Sequence, residues 1–218
     1  MKYRKMLTIG LLLALTGCTN DAYDTGDGEY SYLRADFAEV HTIDAQTIDH
    51  ATTDDGTTLH FAPHVTAKWA EKADTLYRAL IYYHDGTATG EKTVESIAVN
   101  RVPVLRPVVE EEFEGEKKTD PVDLESVWLS TNGKYLNLSL LLKTGKADDP
   151  EAIQSIGLIK SENEETITLH LLHDQGTVPQ YYTSRLYLSI PVTDDLRGKP
   201  LCLVMNTYEK EIEKLIVF

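Results

Sequence analysis

The sequence predicts an all-β protein, with a small OB-like barrel followed by an Ig-like antiparallel β-sandwich. Three observations predict it. The apolar residues recur with a period close to two along most of the chain, which is the strand signature. Helical periodicity is scarce. A composition break at Glu110, Glu111, Glu112, Glu114 and Glu116, followed by Lys117-Lys118-Thr119-Asp120-Pro121, divides the β-rich region in two. With 218 residues and a 42% apolar share, the chain is long enough for one or two globular domains and too apolar to be disordered. The expected organisation is a lipoprotein signal peptide over 1–17, an acidic flexible tether over 18–33, an OB-like β-barrel domain over 34–112, a linker over 113–121 and a β-sandwich domain over 122–218.

The leader reads MKYRKMLTIGLLLALTGC. Lys2, Arg4 and Lys5 form a charged head, Leu7 to Leu15 an apolar stretch too short to span a bilayer, and Leu15-Thr16-Gly17-Cys18 a lipobox. Small residues near the cut suit a secretory peptidase, and a Cys directly after Gly17 provides a thiol for a diacylglyceryl group. The segment resembles a bacterial lipoprotein precursor, which implies that Cys18 is the lipid attachment site and that palmitate or a similar chain anchors the protein. Two or three acyl chains, at about 0.8 kcal/mol per buried CH₂, hold a soluble domain at a membrane durably. Thr19 rather than Asp at the next position favours the outer membrane of the cell envelope under the enterobacterial sorting rule. Formal charge falls from −14 to −17 once Lys2, Arg4 and Lys5 are removed, so no nucleic-acid partner is expected. From Thr19 to Leu33 the run has four acids, no base and two glycines, the composition of a solvated tether.

In the first half, Tyr32 to Val40 and Thr57 to His64 flank Thr52-Thr53-Asp54-Asp55-Gly56, whose Asp-Gly pair signals a hairpin. Thr75 to Tyr83 follows, closed by His84-Asp85-Gly86. Val94 to Val99 and Val102 to Val109 continue the pattern, the last restricted to an edge or bulged strand by Pro103 and Pro107. Thr66 to Ala73 is expected as a short helical turn plugging a five-stranded barrel. The Glu-rich break reads as a solvated linker.

Seven strand-like runs make up the second half: Leu124 to Ser130, Tyr135 to Leu142, Ile153 to Ile159, Thr166 to His173, Tyr182 to Ile190, Leu201 to Met205 and Ile212 to Val217. Leu136, Leu138, Leu140 and Leu142 share one face of their strand, and Tyr135, Asn137 and Ser139 the other. The leucine face is expected to be core and the other face tolerant of alanine. Cys202, between Leu201 and Leu203, reads as a small buried hydrophobe.

The order of these pieces resembles a known family. A lipobox and acidic tether precede Thr52-Thr53-Asp54-Asp55-Gly56-Thr57-Thr58-Leu59-His60. Gly133-Lys134-Tyr135-Leu136-Asn137-Leu138 and Leu169-His170-Leu171-Leu172-His173-Asp174 follow, then Tyr181-Tyr182. This is similar to the NigD-like lipoproteins of gut and oral anaerobes, over essentially the whole chain. The resemblance implies an N-terminal OB-like and a C-terminal β-sandwich domain. Leu172 stands where the family usually has Arg. The family name comes from a gene near a bacteriocin gene, and an immunity role was suggested from that position alone; no catalytic residue is implied.

No chemistry emerges from the spacing of reactive residues. His60 and His64 share a strand face about 13 Å apart at ~3.3 Å per residue, too far for one zinc ion. His173 is expected to be a hydrogen-bonded residue at a strand end. Nucleophile elbows, Ser-x-x-Lys and phosphate loops are absent. The expectation is therefore a non-enzymatic, membrane-anchored lipoprotein with no catalytic residues, no metal ligands and no cofactor, acting as a protein-interaction or accessory module with a protein partner. The alternative is a glycan-binding accessory lipoprotein using Tyr135, Trp128, Tyr181, Tyr182 and Tyr187.

Overall fold

A computed structural model describes residues 33–84 and 92–217. The signal peptide, Cys18, nearly all of the tether, and Asp85-Gly86 lie outside the described residues. The described chain is nearly all β. Strands β1 (Leu33–Asp44), β2 (Thr47–Thr53), β3 (Thr58–Thr66), β4 (Thr75–His84), β5 (Lys92–Val94) and β6 (Ser96–Arg101) form one curled sheet in the order β5-β3-β2-β1-β4-β6. Alternation directs Ala38 and Val40 of β1 inward, where they meet Ile48, Ala51, Leu59, Phe61, Ala79, Ile81 and Tyr83 in one buried cluster. The expected turn at Thr53–Thr57 is present. Gly56 adopts φ 87°, where a Cβ would be strained, and its N–H donates to the Thr53 carbonyl at 2.9 Å.

Three expectations for this half are corrected. β2 was not anticipated, because Ile48 and Ala51 are its only buried apolar residues and a bulge at Asp49 breaks the alternation. Thr66 to Ala73 is not helical. It makes one turn, with Ala70 N–H donating to the Ala67 carbonyl at 3.0 Å. Gln46, at φ 65°, holds this loop by accepting from Ala67 N–H at 2.9 Å and donating to the Ala70 carbonyl at 2.6 Å. The buried Ala67 and Ala70 thus plug the sheet without a helix. Of Val102 to Val109, only β7 (Val108–Val109) is a strand, and it pairs in parallel with the second half at Ile159 and Lys160.

All seven runs of the second half are strands: β8 (Asp123–Leu129), β9 (Tyr135–Thr144), β10 (Ser155–Glu162), β11 (Ile167–Asp174), β12 (Tyr182–Pro191), β13 (Leu201–Asn206) and β14 (Glu211–Ile216). They form a five-stranded sheet, β14-β13-β11-β10-β7, and a three-stranded sheet, β12-β9-β8. The β11–β13 and β10–β7 ladders are parallel and the others antiparallel. The leucine stripe of β9 lies in the core between the sheets with Leu158, Leu169, Leu188, Ile190, Leu201 and Leu203. Cys202 points away from that core and is only partly buried, a correction that follows from its alternation with the buried Leu201 and Leu203. His173 is buried at the end of β11, its Nδ1 3.1 Å from the Asp120 carbonyl.

Asn137 and Ser139 are also buried, against the expectation that their face of β9 is open. The first half covers it. The segment over 113–121 is itself bonded to the sandwich: His173 N–H donates to the Lys118 carbonyl and Asp120 N–H to the His173 carbonyl, each at 2.9 Å. Division of this body into domains 34–112 and 122–218 is therefore a proposal about folding autonomy.

Candidate functional site

The two halves meet through the outward faces of β1 and β4 on one side and of β8, β9 and β12 on the other. Glu39 of β1 stands directly opposite Arg78 of β4, and Asn137 of β9 directly opposite Ser189 of β12. Arg78 joins the two pairs. Its Nη1 and Nη2 donate to both oxygens of Asp54 at 2.5 and 2.6 Å, its Nε to Ser189 Oγ at 3.2 Å and its Nη2 to Asn137 Oδ1 at 3.2 Å. Ser189 Oγ donates to the same Asn137 oxygen at 2.7 Å. The guanidinium lies over Tyr135, 4.3 Å from the ring centroid, with Phe37 at 5.4 Å. Such a planar, permanently charged fork suits a bidentate carboxylate and an aromatic face together.

Glu39 completes the polar seam. It accepts from Lys134 Nζ at 2.7 Å and from the Tyr135 hydroxyl at 2.9 Å. Burial pushes its carboxyl up, but the bonds from Lys134 and Tyr135 and the charges of Lys134 and Arg78 outweigh it, leaving Glu39 below its ordinary value. Burial, and then the Glu39 carboxylate, push the Tyr135 hydroxyl up to about 12. Tyr135 therefore remains a proton donor to Glu39 at neutral pH. Around this seam Phe37 makes edge contacts with Trp128 and Tyr187 at 5.4 and 5.5 Å.

A cleft of about 290 Å³ opens beside the seam. Glu39, Arg78 and Tyr135 line it together with Leu76, Tyr77, Val102 and Val104, and Arg101 and Arg106. Arg101 and Arg106 are exposed, and neither has an ion-pair partner among the described residues. In a chain of formal charge −14, this is a local concentration of guanidinium beside apolar surface. It can accept a carboxylate bidentately and cover an adjoining apolar group. Among the described residues its lining has no serine, cysteine or histidine to act as a nucleophile or neutral-pH base.

The aromatic residues expected to form a sugar-binding row are dispersed. Trp128, Tyr135 and Tyr187 are engaged at the junction, whereas Tyr181 and Tyr182 are 77% and 59% exposed. His60 and His64 both lie on β3. The sequence reading missed Glu39, Arg78, Arg101 and Arg106. The available signal was Arg78 itself, a lone charge inside the run Thr75 to Tyr83.

Comparison with known proteins adds the fold. No protein-family model matches the chain, and no curated protein matches it. A solved NigD-like immunity protein from Bacteroides caccae superposes with a TM-score of 0.66 at 22% identity, over 83% of this chain and 91% of that one. The two share a fold. A protein named as toxin-related from Parabacteroides distasonis gives 0.63 at 18% identity, over 85% and 93% of the two chains. One named as a lipoprotein from Bacteroides fragilis gives 0.56 at 12%, over 84% and 96%. The all-β architecture expected from the NigD-like resemblance is thus the architecture of the solved NigD-like structure. No helix among the described residues is long and apolar enough to cross a membrane.

Proposed function

We propose that this chain is a NigD-like envelope lipoprotein, acylated at Cys18 and held at the outer membrane, whose β body is a non-enzymatic module that binds a protein partner in an immunity-like role. The observation that carries the binding role is the cleft at the junction of the halves, where Arg101 and Arg106, which have no ion-pair partner among the described residues, adjoin Leu76 and Val104. That pairing of donor and apolar surface suits a partner segment presenting a carboxylate next to an apolar side chain. The names of the similar structures, an immunity protein, a toxin-related protein and a lipoprotein, support the same reading. A glycan-binding role rests on Tyr181 and Tyr182 alone.

The test uses a photo-crosslinking residue at Val104 in intact cells, in the native background and with Arg101→Glu and Arg106→Glu combined. A protein adduct seen in the first and lost in the second is expected; equal adducts in both would refute the role of the cleft. The anchor is checked separately, since Cys18→Ala should abolish palmitate incorporation, and label at the native level would exclude Cys18 as the acylation site.

A further inference from the structure

Outside the junction, the outward face of the first sheet carries a row of histidines. His41 of β1 stands directly opposite His50 of β2, which stands directly opposite His60 of β3. The first two rings stack with centroids 4.8 Å apart and 25° between planes, and the third lies 5.7 Å further on. On a regular strand Asp49, adjacent to His50 in sequence, would project to the buried side. Both ladders skip it: against β1 it is the one extra residue, between the pairs His41–His50 and Thr42–Ile48, and against β3 it falls between the pairs Ile48–Val65 and His50–His60, where Phe61 to His64 are also left out. This extra residue re-aims the carboxylate onto the histidine face, a geometry that bulges produce by rotating the strand locally.

The result is a convergent donor set. Asp49 Oδ1 lies 2.8 Å from His41 Nδ1, and Oδ2 lies 2.9 Å from His50 Nδ1. One ligand atom from each of the three residues lies within 4.8 Å of the other two. The far side of the His41 ring is held as well, Nε2 lying 3.1 Å from Asp74 Oδ1. A carboxylate on the distal nitrogen of a histidine is the arrangement that orients metal-bound imidazoles and raises their basicity.

We propose that His41, Asp49 and His50 bind a divalent transition-metal ion of the zinc class, with Asp74 orienting His41 from the second side. Two imidazoles and one carboxylate are the borderline donors that such ions select, whereas calcium and magnesium take oxygen sets. Zinc bonds of ~2.0–2.2 Å place neighbouring ligand atoms about 3.3–3.5 Å apart in a tetrahedron. The 2.8 and 2.9 Å separations are hydrogen-bond lengths to the two different oxygens of Asp49, while the three donor atoms taken together lie within 4.8 Å of one another, so ion binding widens the hydrogen-bonded contacts and closes the longest separation toward that tetrahedral edge. Each imidazole binds the ion through Nδ1 as the neutral form protonated on Nε2, where His41 donates to Asp74; an Nδ1 proton passes through solvent to an unprotonated Nε2, and is released only where Nε2 already carries one. The three side chains are 22–29% exposed, which leaves an open side for entry and for a water ligand or His60 as the fourth donor.

The test is calorimetric titration of ZnCl₂ into the untagged lipoprotein in detergent micelles. One saturable ion per chain is expected, with affinity at least ~10-fold weaker in Asp49→Asn and in His50→Gln and unchanged in His64→Gln and His170→Gln. Nitrogen NMR of the native protein gives a readout that needs no variant to fold: zinc should shift Nδ1 of His41 and His50. Absence of saturable binding, binding unaltered in both site variants, or Nδ1 signals that stay in place would each overturn the proposal.

Discussion

All three guanidinium nitrogens of Arg78 donate to side chains, and the groups they reach come from β12, β9 and the turn after β2. The side chain is 1% exposed and Asp54 is 13% exposed, so the pair is nearly dry. Taking two charges out of water costs several kcal/mol per ion, and the bidentate geometry with two further hydrogen bonds offsets much of that. Removing one partner is different, because it strands the other. Arg78→Ala should therefore destabilise the protein by about 3–5 kcal/mol in denaturant melts. Arg78→Lys should recover little of this, since an ammonium cannot reproduce the two-pronged contact or stack on Tyr135. Full stability in the lysine variant would mean that charge alone matters here.

Strand β9 shows what a second packing layer does to a period-two pattern. Leu138→Ala should cost about 2–5 kcal/mol through lost transfer energy and the residual cavity. The neighbouring face is not neutral. Asn137→Ala removes the acceptor shared by Arg78 and Ser189 in a fully buried site, for which about 1–3 kcal/mol is expected in the same melts. Ser139 likewise donates to Glu125 at 2.6 Å, a carboxylate also held by Arg185. The bulge in β2 has a pH signature. Burial raises the Asp49 carboxyl, but the bonds from His50 and His41 prevail and lower it to about 2 from 3.8. Its contribution to stability is present above 3.8 and disappears as pH falls through 2. His41 is raised above 6.5, chiefly by its bond to Asp49 and then by Asp74, so its contribution is present below 6.5 and disappears as pH rises through the raised value. Melting temperatures of Asp49→Asn should consequently lag the native protein most between about pH 4 and 6.5, by the equivalent of about 1 kcal/mol. A pH-independent deficit would show that the carboxylate acts only through packing.

At the scale of the molecule, the junction decides whether the halves unfold together. The chain has two tryptophans: Trp69 packs edge-on against Tyr77 in the first half, and Trp128 packs on Phe37 across the junction. Forms retaining each tryptophan singly should give coincident urea transitions in the native background, because the buried Arg78 network and the Phe37 cluster couple the two sheets. Introducing Arg78→Ala should separate them. Transitions already apart without that substitution would establish two autonomous domains and leave the seam as a docking contact.

The alternation of Leu136 to Leu142, the Asp55-Gly56 turn and the lipobox-like run ending at Cys18 are local properties. Side-chain direction on a strand, φ at a turn and the composition of a leader each depend on a few consecutive residues, so the all-β class and the seven strands of the second half were legible from the order of amino acids alone. β2 was not, because one inserted residue at Asp49 reverses the direction of every side chain beyond it and only the partner strands reveal the slip. The outer face of β9 was misread for a related reason. Asn137 and Ser139 look solvent-facing in isolation, and only residues 24 to 111 positions from Arg78 in the chain bring acceptors and cover to it. The arginine cleft and the histidine row arise the same way, from residues on separate strands whose meeting depends on register and on sheet-to-sheet packing. A period-two pattern specifies that a face exists; how many layers lie against it is a property of the tertiary structure, since burial depends on distant parts of the chain.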